Sequence, residues 1–177
     1  LGQCDQALTL HQDTLNRRRR VLGDDHPDTL RSANDVARAL VALGRDEEAH
    51  ALYAQTLVRR QRVLGDEHPD TLVSANNLAT ALDRQGLVEE ALVRSGERHA
   101  ANPRTLDAAL AIHRETVHRL RRVLGEMHHV TLLSTGNLAR VLHVMGRHRE
   151  AQALYEQAIP RLRHVLGQER PQEGMGP

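Results

Sequence analysis

Phenylalanine and tryptophan are absent from this chain, and tyrosine occurs twice. The core must therefore come from Leu, Val and Ala, side chains that suit packed helices. The lack of aromatics also excludes a stacking platform for nucleic-acid bases. Lysine is missing too. All 24 basic side chains are Arg, a bias that fits GC-rich coding. They face 23 acids, and the net charge is +1. Such a balance gives the whole chain no pull toward nucleic acid or an anionic membrane. Cys4 is the sole cysteine, which excludes an internal disulfide and a Cys-based zinc site. No apolar run reaches the ~18 residues of a membrane span, and no leader pattern opens the chain. A cytosolic location is expected. Residue 1 is Leu and the first residues already stand mid-pattern, so a longer parent protein is expected.

What the chain has is repetition. Its 177 residues are 40% hydrophobic and 27% charged, the balance of a folded chain about one domain long. VLGDDHPDTL at 21–30 returns as VLGDEHPDTL at 63–72 and as VLGEMHHVTL at 123–132, and VLGQERPQ begins at 165. From Val21 to Val63 is 42 residues, from Val63 to Val123 is 60, and from Val123 to Val165 is 42 again. The middle interval is one period plus 18 residues. A fixed period in this range predicts a solenoid, in which each unit buries its apolar face against its neighbours.

Each period reads as two helices. Thr29 to Gly44 carries Leu30, Ala33, Val36, Ala37 and Leu40 at helical spacing. Gly44 supplies a C-terminal stop, and Gly86 and Gly146 are read as the equivalent stops. Arg45 to Gly65 carries a second stripe, with Asp46, Glu47 and Glu48 in its first turn and Arg59, Arg60 and Arg62 near its end. The helix dipole favours that charge order. Residues 1–23 align with residues 43–65, so the chain opens on a second helix without its first, and its apolar face is expected to lack a cover.

Leu78, Ala79, Leu82, Gly86 and Ala91 resemble the large-and-small pattern of a tetratricopeptide repeat. The pattern returns at Val36, Ala37, Leu40, Gly44 and Ala49, and at Leu138, Ala139, Leu142, Gly146 and Ala151. The ordinary repeat of that family has 34 residues. A 42-residue period with LGDEHPDTL and SANNLA is similar to the long variant of kinesin light chains and bacterial signalling proteins. The resemblance implies an all-α fold, a right-handed α-solenoid of antiparallel helix pairs. The expected division is a lone second helix at 1–23, repeats at 24–65, 66–125 and 126–167, and a disordered tail at 168–177. An 18-residue insertion is expected near 87–104. Within it, Asn102-Pro103 predicts a break and a new helix start.

The Asp- and His-rich decapeptide invites a metal reading through Asp24, Asp25 and His26. Successive copies would lie one repeat apart and would not converge on one ion. A structural role explains more. Gly23 ends a helix, Asp25 or His26 caps the next, Pro27 opens it, and Asp28 meets its dipole. His128, His129 and Val130 replace His-Pro-Asp in the third copy, so its helix is expected to start less firmly. His113 and His118, and His143 and His148, are five apart, whereas a helical zinc face needs three or four. His128 and His129 are expected to point apart on a helix. No metal and no cofactor is expected.

The Arg clusters at 17–20, 59–62, 119–122 and 161–164 fall at one place in each unit, beside Asp24, Asp25, Asp66, Glu67 and Glu126. Dipole complementation and solubility account for the band, and nucleic acid is not an expected partner.

The remaining candidates lie on the first helices. Asn34 and Asp35, Asn76 and Asn77, and Gly136 and Asn137 are equivalent pairs. The resemblance implies that first helices line a concave face where Asn bonds the backbone of an extended peptide. An amide donates and accepts, so it reads a peptide bond whatever the side chains. The alternative is a buried Asn that ties neighbouring helices, and both readings stay open for Asn77 and Asn137. Arg38, Thr80, Asp83, Arg84, Arg140 and His143 would then set specificity. Asp35 and Gly136 depart from the Asn pattern and put a tight clamp in doubt. No nucleophile–base pair, phosphate loop or carboxylate dyad is present, so an enzyme is not expected. The leading expectation is a scaffold for a protein or peptide segment. Two alternatives are a regulatory or sensor array of a larger bacterial nucleotide-switch ATPase or transcription regulator, and a self-association module giving a homo-oligomer.

Overall fold

The computed structural model describes the backbone of residues 2–94 and 103–168. Residues 169–177 of the expected tail and residues 95–102 of the insertion lie outside the described residues. Among those described there are seven α-helices and no strand: α1 (Gly2–Leu22), α2 (Pro27–Ala42), α3 (Asp46–Leu64), α4 (Pro69–Arg94), α5 (Pro103–Leu124), α6 (His129–Val144) and α7 (His148–Gln168). The fold class is all-α, a solenoid of antiparallel helix pairs. The chain divides into two compact units, Leu1–Ile112 and His113–Pro177, with the division falling inside α5.

In the first unit α1 packs on α2, α2 on α3, and α3 on α4. Its core holds Leu15 of α1, Ala33, Val36, Ala37 and Leu40 of α2, Ala49 and Tyr53 of α3, and Leu78 and Ala81 of α4. Ala37 and Ala49 are fully buried. Alanine at these points lets helix backbones approach closely, and the missing aromatics are replaced by contact. In the second unit α6 packs on α7, around Leu132, Leu138, Ala139, Val141 and Leu142 of α6 and Ala151 and Ala158 of α7.

Two kinds of joint recur. The long joint precedes α2, α4 and α6. Here the sequence left Asp25 and His26 both open as the cap, and the fold selects the histidine. His26 Nδ1 accepts the Asp28 N–H at 3.2 Å, His68 Nδ1 that of Asp70 at 3.1 Å, and His128 Nδ1 that of Val130 at 3.2 Å. The third copy keeps this bond although Pro and Asp are gone. The acids just before the cap bind guanidinium groups instead. Asp24 meets Arg19 of α1 at 3.2 Å, Asp25 meets Arg59 and Arg62 of α3, and Glu126 meets Arg161 of α7 at 3.4 Å.

The short joint lies between α2 and α3 and between α6 and α7. Gly44 adopts φ +73° and Gly146 φ +75°. Arg45 N–H reaches back to Leu40 O at 2.9 Å, and Arg147 N–H to Leu142 O at 2.9 Å. This is the Schellman arrangement, and the left-handed residue it needs explains the glycine. The next helix then starts on a bidentate clasp. Arg45 bonds Glu48 at 2.7 and 2.8 Å, and Arg147 bonds Glu150 at 2.6 and 2.7 Å. These hydrogen bonds hold both carboxyls below the usual carboxylate range.

Gly86 corrects the sequence reading, which made it a third stop. Helix α4 runs through it for 26 residues, about 39 Å. A stop works here only with a restart, and Leu87 stands where the clasp needs Arg45 or Arg147. The glycine serves packing instead. A Cβ built on it would lie 2.7 Å from Leu106 Cγ of α5, closer than any real contact. Helix α5 is described from Pro103 onward, and the expected break before it lies outside the described residues.

Gly86→Ala is expected to lower stability by about 1–2 kcal/mol, since overpacking against buried Leu106 outweighs the gain in helix propensity. Gly136→Ala on α6, with no atom within 4 Å of the new Cβ, is expected to raise it by up to about 1 kcal/mol. Thermal denaturation of the two variants checks the opposite signs.

Candidate functional site

The candidate face belongs to the first helices, α2 and α4 in the first unit and, taken by itself, α6 in the second. Its position is fixed from below by a buried guanidinium. Arg60 of α3 is 3% exposed. One of its nitrogens donates to Asp70 O at 2.6 Å and Ser74 Oγ at 3.0 Å, both on α4. Arg18 of α1 repeats the pattern on α2, reaching Asp28 O at 3.0 Å and Ser32 Oγ at 2.8 Å. Burial pulls the Arg60 pKa down, partly offset by Asp70, yet a guanidinium keeps its charge at any ordinary pH. Sequence reading missed these staples. The signal was available: an Arg and a Ser fourteen residues apart in two copies. In the third copy the arginine becomes Leu120, fully buried, and Thr131 Oγ1 of α6 donates to Leu120 O at 3.4 Å.

The first Asn register belongs to this framework. Asn34 Nδ2 of α2 donates to Ser74 Oγ of α4 at 3.3 Å, so one hydroxyl receives groups from α2 and α3. Asn34 is therefore a tie between neighbouring first helices. Asn76, at the equivalent place on α4, is half-buried and engaged in a polar interaction, and its carbonyl accepts the Thr80 hydroxyl at 2.9 Å.

The second register differs. Asn77 is half-buried, and its side chain carries no hydrogen bond to a described residue. Thr80 and Arg84 follow at i+3 and i+7, on one side of α4. Arg84 is anchored to Asp46 of α3 at 3.1 Å. On α2 the same register holds Asp35, which pairs with exposed Arg38 at 2.8 Å. Beneath that pair lies the Tyr53 phenol, 4% exposed, pushed up to about 12 by burial. In the second unit Asn137 and Arg140 lie one turn apart on α6, half-buried and each in a polar interaction. Asp83 is buried inside α4, and His143 is exposed at the end of α6.

The fold also corrects two readings of histidine. His143 and His148, dismissed as five apart on one helix, lie on two helices and meet across the Gly146 turn, with Nδ1 atoms 3.2 Å apart. His128 and His129 do not point apart. Their rings stack at 4.5 Å because His128 is the cap and not a helical residue. Among the described residues no group of three or more His, Cys, Asp or Glu gathers as a metal site would require. A cleft of about 520 Å³ opens beside α1, α2 and α3 with Leu8, Val36, Leu40 and Leu52 on its wall, away from every candidate residue.

Helix pairs of this kind, with Schellman joints and buried alanines in register, carry the tetratricopeptide repeat pattern, which matches residues 1–58 and 104–164. The chain belongs to the tetratricopeptide repeat family. Members of this family are in general non-enzymatic scaffolds for protein interaction. Two solved structures of kinesin light chain TPR-like repeats from Podosopora anserina are 26% identical to the chain. They cover 94% and 96% of it and 90% of their own length, with a TM-score of 0.48. BtubC (BKLC) from P. vanneervenii is 18% identical, with a TM-score of 0.63 over 99% of this chain, and shares the tetratricopeptide repeat fold. This chain spans 63% of BtubC. No curated protein matches in sequence. No described helix is long and apolar enough to cross a membrane.

Two outcomes follow for the tetratricopeptide framework. Arg60→Ala is expected to cost about 2–3 kcal/mol, because it removes a buried charged donor and leaves the Asp70 carbonyl without it. Denaturant unfolding measures that loss. The neutral Tyr53 phenol is favoured by folding, so its contribution is complete below the ordinary tyrosine value of about 10 and lost as pH rises toward about 12. An ultraviolet titration should show a tyrosine that ionises late, and stability should fall across that same alkaline window.

Proposed function

We infer that this repeat array holds an extended segment of a partner protein along the exposed side of its first helices. The observation that carries this reading is the contrast between the two asparagine registers. Asn34 is spent on Ser74, whereas Asn77 keeps its donor and acceptor for something outside the described residues. An amide presented this way suits a peptide backbone. Thr80 and the anchored Arg84 offer a hydroxyl and a guanidinium beside it, and Asp35 with Arg38 offers both charges on α2. In the second unit Asn137 and Arg140 are assigned the same role. Affinity then comes from main-chain bonding, and selectivity from the side chains one turn away. Cys4 is exposed and alone, which suits a reducing, cytosolic setting for such work.

The test separates binding from folding. A peptide array supplies the probe, and peptides retained by the native chain are titrated against two variants. Asn77→Ala is expected to keep stability within about 0.5 kcal/mol and to weaken the retained peptides about tenfold, the effect of roughly one lost backbone hydrogen bond. Asn34→Ala is expected to lower stability instead. Unchanged affinity in Asn77→Ala would sink the assignment of this face.

A further inference from the structure

We propose that α6 is the acid-sensitive element of this chain, held at both ends by histidines that must not all be charged. At its N-terminus the His128 ring accepts the Val130 N–H through Nδ1 at 3.2 Å. Only an unprotonated Nδ1 can accept, so the proton of the neutral ring sits on Nε2. A second proton removes the cap and sets a positive charge on the positive end of the helix dipole. The His129 ring stacks on it at 4.5 Å, so two charged rings would face each other. At the C-terminus the Nδ1 atoms of His143 and His148 are 3.2 Å apart. One donates and the other accepts. That pair can take up one proton and keep its bond, and the next proton breaks it.

What separates α6 from the other capped helices is its lack of acid. In α2 the Asp28 carboxylate lies 4.0 Å from the His26 ring, and α4 has Asp70 in its first turn. Asp28 thus offers a carboxylate to a charged cap, and Asp70 sets a negative charge in the first turn of α4. Helix α6 contains no Asp or Glu at all, and Val130 stands in that place. The surroundings do not make up the difference. Near the N-terminus, Glu126 is bound by Arg161 of α7 at 3.4 Å, and Arg121 of α5 lines the same small cavity. Near the C-terminus, Glu150 is clasped by Arg147 and lies 3.5 Å from Arg114 of α5, with Arg149 beside it.

The sign follows from proton uptake. The His128 cap and the His143–His148 bond exist only while the accepting Nδ1 carries no proton. Stability from these contacts is therefore present while those nitrogens are unprotonated and is lost on acidification. Release of a segment bound on Asn137 and Arg140 would be the consequence, and it rests on the reading of that face given above. The response of the helix itself does not.

Hydrogen–deuterium exchange of the full chain at pH 7.5 and 5.5, corrected for intrinsic rates, tests this without any ligand. Protection of α6 peptides is expected to fall about tenfold more than that of α2 peptides, the effect of a lost cap with an opposed dipole charge. Asn caps a helix without titrating, so His128→Asn should shrink that excess. Adding His148→Gln should bring it within about twofold. His128→Ser is a second capping replacement and should behave as His128→Asn does. If α6 loses no more protection than α2, or if the capped variants lose as much as the native chain, the proposal is overturned.

Discussion

Three helices meet at one hydroxyl. Ser74 of α4 receives the Arg60 guanidinium from α3 and the Asn34 amide from α2, and it is completely buried. A buried cation without a carboxylate partner is costly unless neutral oxygens replace its water. Ser74 Oγ and the Asp70 carbonyl do that here. The geometry is demanding, because both acceptors lie at the start of α4. Helix α4 therefore cannot slide or rotate without stranding a charge. Its half-buried residues Asn77, Thr80 and Arg84 inherit their placement from this contact. Hydrophobic packing among Leu and Ala holds the helices together, but it tolerates small shifts. The polar contact selects one register.

The two joints divide the remaining work. The long joint sets where a first helix begins, through a His cap and acids that reach arginines on neighbouring second helices. The short joint sets where it ends, through a left-handed glycine and an Arg–Glu clasp. With both present the pair closes in its ordinary length, as in α2–α3 and α6–α7. With the clasp missing after Gly86, α4 runs on to Arg94. The 18 additional residues of that interval thus begin as helix rather than as loop.

Much of this could be read from the chain before folding. The 42-residue period and the paired helices followed from spacing, and the large-and-small pattern carried the family resemblance. What could not be read has a common cause. Gly44 and Gly86 are the same letter at the same place, but one satisfies a backbone angle and the other makes room for Leu106, a residue twenty positions away. His26 and Asp25 are both good caps, and only the turn geometry decides which ring or carboxylate faces the free N–H. His143 and His148 were judged on a helical wheel that the Gly146 turn interrupts. Asn34 and Asn77 look alike in sequence, and only the position of Ser74 shows which amide is occupied. Local chemistry is written in local sequence, and contacts between helices are not.

The arginine-built ion pairs carry one more consequence. Every cationic side chain in these contacts is a guanidinium, in a chain with no lysine. A guanidinium neither loses its proton in ordinary conditions nor acts as a nucleophile toward acyl donors. The links from α1, α3 and α7 to Asp24, Asp25 and Glu126 are thus closed to the covalent editing that acetylation performs on other scaffolds. Their sign is permanent, and the imidazoles are the only side-chain cations in the array that ordinary conditions can switch.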